Sequence, residues 1–394
     1  MKRILTAILP VVLVLSLSNC KKDETAIKAT LEQKKRNTDA VAAITPEVGV
    51  VYGAVTIKGD FGPADPGAIV KFNGTNAILN NATDTSIVVT IPEGSASGLV
   101  TATVNGVDYT IADNYKILQL SRDLVMNSPI AITKMAFDRV DVGTIYATDA
   151  KTIYKLRSLS SPAVLYTAES GTGIINIATD KNGNVYAARS LAFGASFDVV
   201  RIDPSGNLTQ MFRSKNGNAD GHISTAKIPN IIDMVIAYPS NNMYVIGGFR
   251  IRRITPNGDV STRADYTAGG WFDNIKYLAV DDKSYIYTAY AGVVVVSPSE
   301  GYVIGIAGSR NVYQPIDGDR FVSAFSSAGP FTVDNKNQLL FVSDYNLLRI
   351  VNTGYYTSTY KRPDAIAANG VFYDNASNKL YLTSGNKLAR YSFK

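Results

Sequence analysis

The sequence predicts an all-β protein in which a small strand domain precedes a six-bladed β-propeller. Strand and turn formers dominate, with 23 Tyr, 14 Phe and 31 Gly in 394 residues. Apolar residues alternate with polar ones at period two rather than at helical spacing. In the C-terminal part, six segments repeat one plan: a strand, a polar turn and a second strand rich in Tyr. Self-similarity of this kind marks a repeat architecture.

Residues 1–19 read as a removable export signal. Lys2 and Arg3 precede "ILTAILPVVLVLSLS", an apolar run shorter than the roughly twenty residues that span a bilayer. Leu17, Ser18 and Asn19 lead directly into Cys20, the only cysteine. This arrangement resembles a bacterial lipobox, with Asn19 where Gly, Ala or Ser is usual. The resemblance implies that the Cys20 thiol takes a diacylglycerol and anchors the mature chain to a membrane. Residues 20–43 mix charges and carry few large apolar groups, so they cannot offset their ordering entropy and read as a flexible tether. Within them Lys22, Asp23 and Glu24 resemble the lysine-plus-two-acids signal that sends lipoproteins of Bacteroidota to the outer face of the outer membrane.

The formal charge is +6 for the whole chain; without the first 19 residues, 37 basic and 33 acidic residues leave +4. That balance is too mild for a nucleic-acid partner. With Cys20 acylated no thiol remains for a disulfide, so the exported domains depend on their cores. About 350 residues after the tether suit two domains.

The first domain is expected over 44–112. Val100, Ala102 and Val104 alternate with Thr101 and Thr103, as in a half-buried strand. Asn73-Gly74 and Asn105-Gly106 are hairpin turns. The order of "ITPEVG", "VTIKG", "VKFNG" and "IPEG" resembles the IPT/TIG family of immunoglobulin-like sandwiches. No cluster of acids or nucleophiles stands in this segment, so its expected role is a spacer or a protein contact.

The propeller is expected over 113–394. The six strand-turn-strand units place their turns at Asp138, Asp180, Tyr238, Asp281, Asp334 and Asp374. Second hairpins follow, as in "VVRIDPSGNLTQMF", "IRRITPNGDVSTRA" and "VVVVSPSEGYVIGI", with Pro and Gly setting the turns. Four strands per repeat at this spacing mean blades. The last repeat stops after its third strand at "NKLARYSFK", and "NYKILQLSRD" before the first blade has no hairpin partner. Pairing the two would close the ring and cover an edge that otherwise invites aggregation.

Residues 317–352, with "DGD", "AF", "VDNKNQLLFVSDYN" and "LRIV" in order, resemble an NHL repeat; the other five units match more loosely. Taken together, these features resemble Bacteroidota surface lipoproteins, many of them near glycan-uptake systems. The resemblance extends to propellers that are metal-dependent lyases and lactonases, whose sites need several His, Glu, Asp or Asn ligands, but the propeller has the single histidine His222 and only Glu169 and Glu300 as glutamates. No catalytic residue, metal ligand or cofactor is assigned. Most aspartates read as turn caps, Asp317 and Asp319 as turn chemistry rather than a calcium site, and His222 as a solvated loop residue. Arg250, Arg252 and Arg253 do not form a nucleic-acid stripe, because period-two alternation sends the neighbouring Arg252 and Arg253 to opposite faces.

The expected function is therefore ligand binding. One face of a propeller gathers the links between blades and the turns between second and third strands. The candidate residues there are Trp271, Phe272, Tyr290, Phe249, Tyr345, Phe193 and Arg310, because aromatic-bearing loops on one rim make a ligand surface. The expected partners are an outer membrane, through the lipid anchor, and a glycan together with its importer. The alternatives are a structural or protein-docking lipoprotein without a small ligand and, third, a metal-dependent lyase or lactonase.

Overall fold

The computed structural model describes residues 41–159, 161–194, 196–265, 275–290, 293–297, 304–309, 312–360 and 369–394. Among them the regular elements are strands, joined by turns such as the left-handed one at Ala192–Gly194. No helix among them is long and apolar enough to cross a membrane. Two compact units form: one takes the chain up to Val48 together with Val55–Lys116, the other Gly49–Ala54 together with Ile117–Lys394.

The first unit carries two antiparallel sheets. One contains Val41–Thr45, Ala54–Gly59, Ser86–Thr90 and Ile78–Ala82; the other is built on Gly98–Val104, Ile69–Phe72 and Thr75–Asn76. Alternate residues are buried, Val55, Ile57, Ile87 and Val89 from the first sheet and Val70, Phe72, Val100, Ala102 and Val104 from the second, as period-two patterning requires. At both expected hairpins the chain turns with positive φ, 46° and 89° at Asn73-Gly74 and 50° and 76° at Asn105-Gly106. Asn and Gly tolerate that conformation.

In the second unit, six antiparallel sheets follow one another. Sheet one is Lys134–Phe137, Ile145–Thr148, Thr152–Leu156 and Pro162–Thr167; sheet two is Gly173–Thr179, Val185–Leu191, Ser196–Ile202 and Leu208–Arg213. Sheet three is Asp233–Ile236, Met243–Gly247, Arg250–Ile254 and Asp259–Asp265, with the short Gly221–His222 on its outer edge. Sheet four is Leu278–Val280, Ile286–Tyr290, Val293–Ser297 and Ile304–Ala307, and sheet five is Ala328–Asp334, Leu339–Asp344, Leu347–Asn352 and Thr357–Tyr360. Sheet six takes Gly370–Asp374, Lys379–Ser384 and Lys387–Phe393 from the end of the chain and Leu120–Asn127 from before sheet one.

The first strands of the six sheets touch in a closed cycle, each against the next and the sixth against the first. The apolar cores lie between neighbouring sheets. Ala136, Tyr146 and Ile153 of sheet one meet Ile177, Val185 and Val200 of sheet two, and Val199 and Phe212 of sheet two meet Met234, Val245 and Ile254 of sheet three. Sheets three and four share Ile246, Ile251, Leu278 and Ile286, and sheets four and five share Ala289, Ile306, Phe331 and Val342. Phe341 stacks on Tyr373 between sheets five and six, and Phe137, Leu156, Tyr381 and Leu388 join six to one. Each sheet is therefore buried on both faces, which explains why second strands such as Leu339–Asp344 are buried at every position.

Closure differs in register from the expectation. The strand that pairs with the chain end is Leu120–Asn127, Leu120 opposite Phe393 and Asn127 opposite Lys387. Residues 114–118, expected to begin it, instead end the strand Val107–Leu118. Tyr115 and Ile117 are buried at period two, and the phase then slips by one residue to the buried Leu120 across an exposed Gln119, so the boundary is only a one-residue break inside an apolar run. The change falls at Gln119, which exchanges backbone hydrogen bonds of 2.8 and 2.9 Å with Lys394.

Candidate binding site

The first strands of all six sheets line a cavity of about 170 Å³. At one end, Lys134 begins its strand in sheet one, Asp233 begins its strand in sheet three and Tyr277 stands just before Leu278. The Asp233 carboxylate is buried and caps no turn of its own. It accepts hydrogen bonds from the Leu278 N–H at 2.8 Å and from the Asn176 side-chain amide, and lies 3.5 Å from the Lys134 ammonium. A buried carboxylate needs such compensation. Burial, with the Asp233 charge second, raises the Tyr277 phenol above its ordinary range, so the phenol stays a donor. At the other end the Arg139 guanidinium lies over the Tyr238 ring, 5.6 Å from its centre, and the Asn335 N–H donates to Asn375 at 2.8 Å.

A second cavity, about 450 Å³, adjoins the Lys134 end and shares Lys134 and Tyr277 with the first. Its wall adds Asn230, Ile232, Lys276 and Phe249. Phe249 is held by Gly247 and Gly248 in the turn between the second and third strands of sheet three. A Cβ at Gly247 would collide with the Asn230 carbonyl oxygen, and the Gly248 N–H donates to the Asn230 side-chain oxygen at 2.7 Å. The short turn that results leaves Phe249 51% exposed with φ at 60°.

Phe193 and Tyr345 occupy the equivalent turns of sheets two and five, 93% and 73% exposed, with φ at 56° and 57°. Aromatics thus stand in the turn between the second and third strands of sheets two, three and five. Only Phe249 lines a cavity with the Lys134 cluster. The Phe193 turn rests on the link from sheet one to sheet two, its N–H donating to Gly171 at 3.0 Å. Tyr290 ends the second strand of sheet four; its side chain, together with Trp271, Phe272, Arg310, Cys20, Lys22, Asp23 and Glu24, lies outside the described residues.

The turn aspartates cap backbone. Asp138, Asp180, Asp281, Asp334 and Asp374 each accept N–H bonds from the residues of their own turns. Asp317 accepts from the Thr359 N–H at 3.0 Å and pairs with Arg349 at 3.0 Å. Asp319 caps Phe321 and Val322. His222 is exposed, 2.8 Å from the Ser224 hydroxyl. Among the described residues no three His, Cys, Asp or Glu side chains converge as a metal site.

Sequence reasoning missed two features. Asp233, which sits among apolar residues in "NIIDMVIAY", is not singled out by the sequence reading; an acid inside a strand's apolar run was the signal. A third cavity, about 310 Å³, lies between sheets four and five at the ends opposite the aromatic turns, lined by Tyr285, Tyr287, Tyr355, Ile304 and Leu340. Nothing in the local pattern announces it, since its walls come from two repeats.

Residues 40–117 match the IPT/TIG domain family. No curated protein matches the chain in sequence. Solved structures similar in fold include a protein of unknown function from Bacteroides thetaiotaomicron VPI-5482, with a TM-score of 0.54 at 15% identity over 90% of this chain and 98% of that one. An auxiliary nutrient binding protein from the same organism gives 0.52 at 10% identity, over 90% of this chain and 97% of that one. Another, from Bacteroides ovatus ATCC 8483, gives 0.52 at 11% identity, over 91% and 98%.

Proposed function

We propose that the second unit is a six-bladed propeller that binds a nutrient glycan on the face carrying Phe193, Phe249 and Tyr345. The chain, on this reading, is anchored to the outer membrane through Cys20, faces the cell exterior and works with an importer; binding proceeds without turnover. The observation that carries the reading is the set of three large aromatics, each exposed and each in a left-handed turn. Both features cost free energy that a purely structural turn would avoid by using Gly. Phe249 adds a cavity within the size range of small-ligand sites. The nutrient-binding names of two fold neighbours agree with this reading.

The test is a glycan array followed by calorimetry on the best binder. Phe249→Ala is expected to weaken that glycan more than tenfold, since a central aromatic of a binding surface carries about 2 kcal/mol or more, and to leave the melting temperature within about a degree. Intact binding by Phe249→Ala, or an array without any bound glycan, would overturn the proposal. A protein-docking role is the second reading, favoured by Val140 and Val142, exposed beside the Arg139 end of the channel.

A further inference from the structure

We propose that the cavity beneath Phe249 selects an acidic sugar, a ring bearing a carboxylate or sulfate, and that Lys134 and Lys276 receive its anionic group. The inference rests on the glycan-binding reading above and specifies its ligand. Among the described residues, two lysines and no acid line this cavity. Asp233 lines the adjoining channel, with one oxygen on the Leu278 N–H and the other on the Asn176 amide. Each carboxylate oxygen thus has a neutral donor, and Lys134 adds a salt bridge to one of them at 3.5 Å.

An ammonium carries three N–H donors, and Asp233 occupies one direction of Lys134. The Lys134 side chain is 25% exposed and Lys134 lines both cavities, so its ammonium has donors left for a ligand. There, partly out of water, an ion pair with a ligand anion is stronger than at an open surface. Lys276 is exposed on the same wall. Tyr277 adds a protonated phenol as donor, and Phe249 an apolar face for the C–H side of the ring. The set recognises an amphipathic anion: an apolar sugar face against Phe249 and a charged substituent against the lysines.

The test uses the full-length protein and an array printed in matched pairs, each uronate oligosaccharide beside its methyl ester and each sulfated one beside its unsulfated parent. The acidic member is expected to bind at least tenfold more tightly than its neutral partner, with affinity falling as salt rises. Whether uronates or sulfated sugars show this preference identifies the anion. Lys276→Gln, at an exposed position, is expected to reduce that preference severalfold, and Lys134→Gln to abolish it, while Lys134→Arg retains most of it. Melting temperatures of the three variants report whether each fold is intact. Equal binding of acidic and neutral members, or a preference that survives both Gln substitutions, overturns this proposal and leaves glycan binding standing. A blank array overturns both.

Discussion

Tyr146, Tyr186 and Tyr287 send their hydroxyls back to the aspartate that opens their own turn, Asp138, Asp180 and Asp281, at 3.0, 3.3 and 3.1 Å. The Tyr-rich second strand of the repeat is thus the donor side of a latch whose acceptor caps the turn. Burial, with the neighbouring carboxylate second, raises these phenols; Tyr186 is pushed up to about 12, and burial does the same to Tyr381. Their folded pKa lies above the unfolded value of about 10. The associated stabilisation is present in full below pH of about 10 and is lost as pH rises through about 12. Alkaline titration followed by tyrosinate absorbance should show a class of tyrosines that ionises only as the fold is lost; one smooth ionisation near 10 would contradict the latch. The exposed aromatics show the opposite economy. Tyr345 sits at φ 57°, where a residue with a Cβ costs about 1–2 kcal/mol. Tyr345→Gly is expected to raise unfolding free energy by about 1 kcal/mol in urea titrations, and a loss of stability would show that the ring is a packing group.

Within single sheets, two loops use one device. Arg349, on the third strand of sheet five, donates to the Ile316 and Ala324 carbonyls and pairs with Asp317 and with Asp344. Arg252, on the third strand of sheet three, donates to the Ala219 and Lys227 carbonyls and pairs with Asp220, which in turn accepts from Thr262 as Asp317 does from Thr359. In both, an Asp-Gly loop folds over the outer strand and covers its edge. The motif was legible near Asp317 because the whole NHL-like string survives there. In "NADGHISTAKI" only the Asp-Gly and the later Ala remain, and the burial of Arg252 could not be read from its charged neighbours. The two clasps differ in what their removal exposes. Asp344 is fully buried whereas the Asp220 side chain is 51% exposed. Arg349→Ala should therefore cost about 3–5 kcal/mol, because it strands a buried charge, and Arg252→Ala about 1–3 kcal/mol, because water reaches Asp220 while the abandoned carbonyls lose a donor. Chemical denaturation of the two variants checks the order, and equal losses would refute it.

For the whole molecule, sheet six matters most, because it joins the two ends of the second unit. Leu388, Ala389 and Tyr391 of its third strand are all fully buried, and the same strand carries Leu120–Asn127 on its outer side. Ending the chain after Asn386 removes those three side chains and leaves the closing strand without a partner. The expected result is a loss larger than any single substitution produces, more than about 5 kcal/mol, seen as a failure to melt cooperatively or to remain soluble. A truncated protein that melts as the full chain does would mean that closure contributes nothing.

Local rules account for what the sequence determined alone. Period-two alternation, Asn-Gly and Asp-led turns and the recurrence of Tyr specify strands, hairpins and repeats, because each depends on residues a few positions apart. Even the need for a closing strand followed from a last repeat that stops one strand short. Tertiary structure decided the rest. The closing strand begins at Leu120 because pairing with Lys387–Phe393, rather than alternation, chooses the register. The cluster of Lys134, Asn176, Asp233 and Tyr277 comes from four repeats, and its members meet only when the first strands converge. Convergence turns an ordinary aspartate into a buried carboxylate and an ordinary lysine into the charge at a cavity mouth, since burial and neighbours, not residue type, set the energy of a charge.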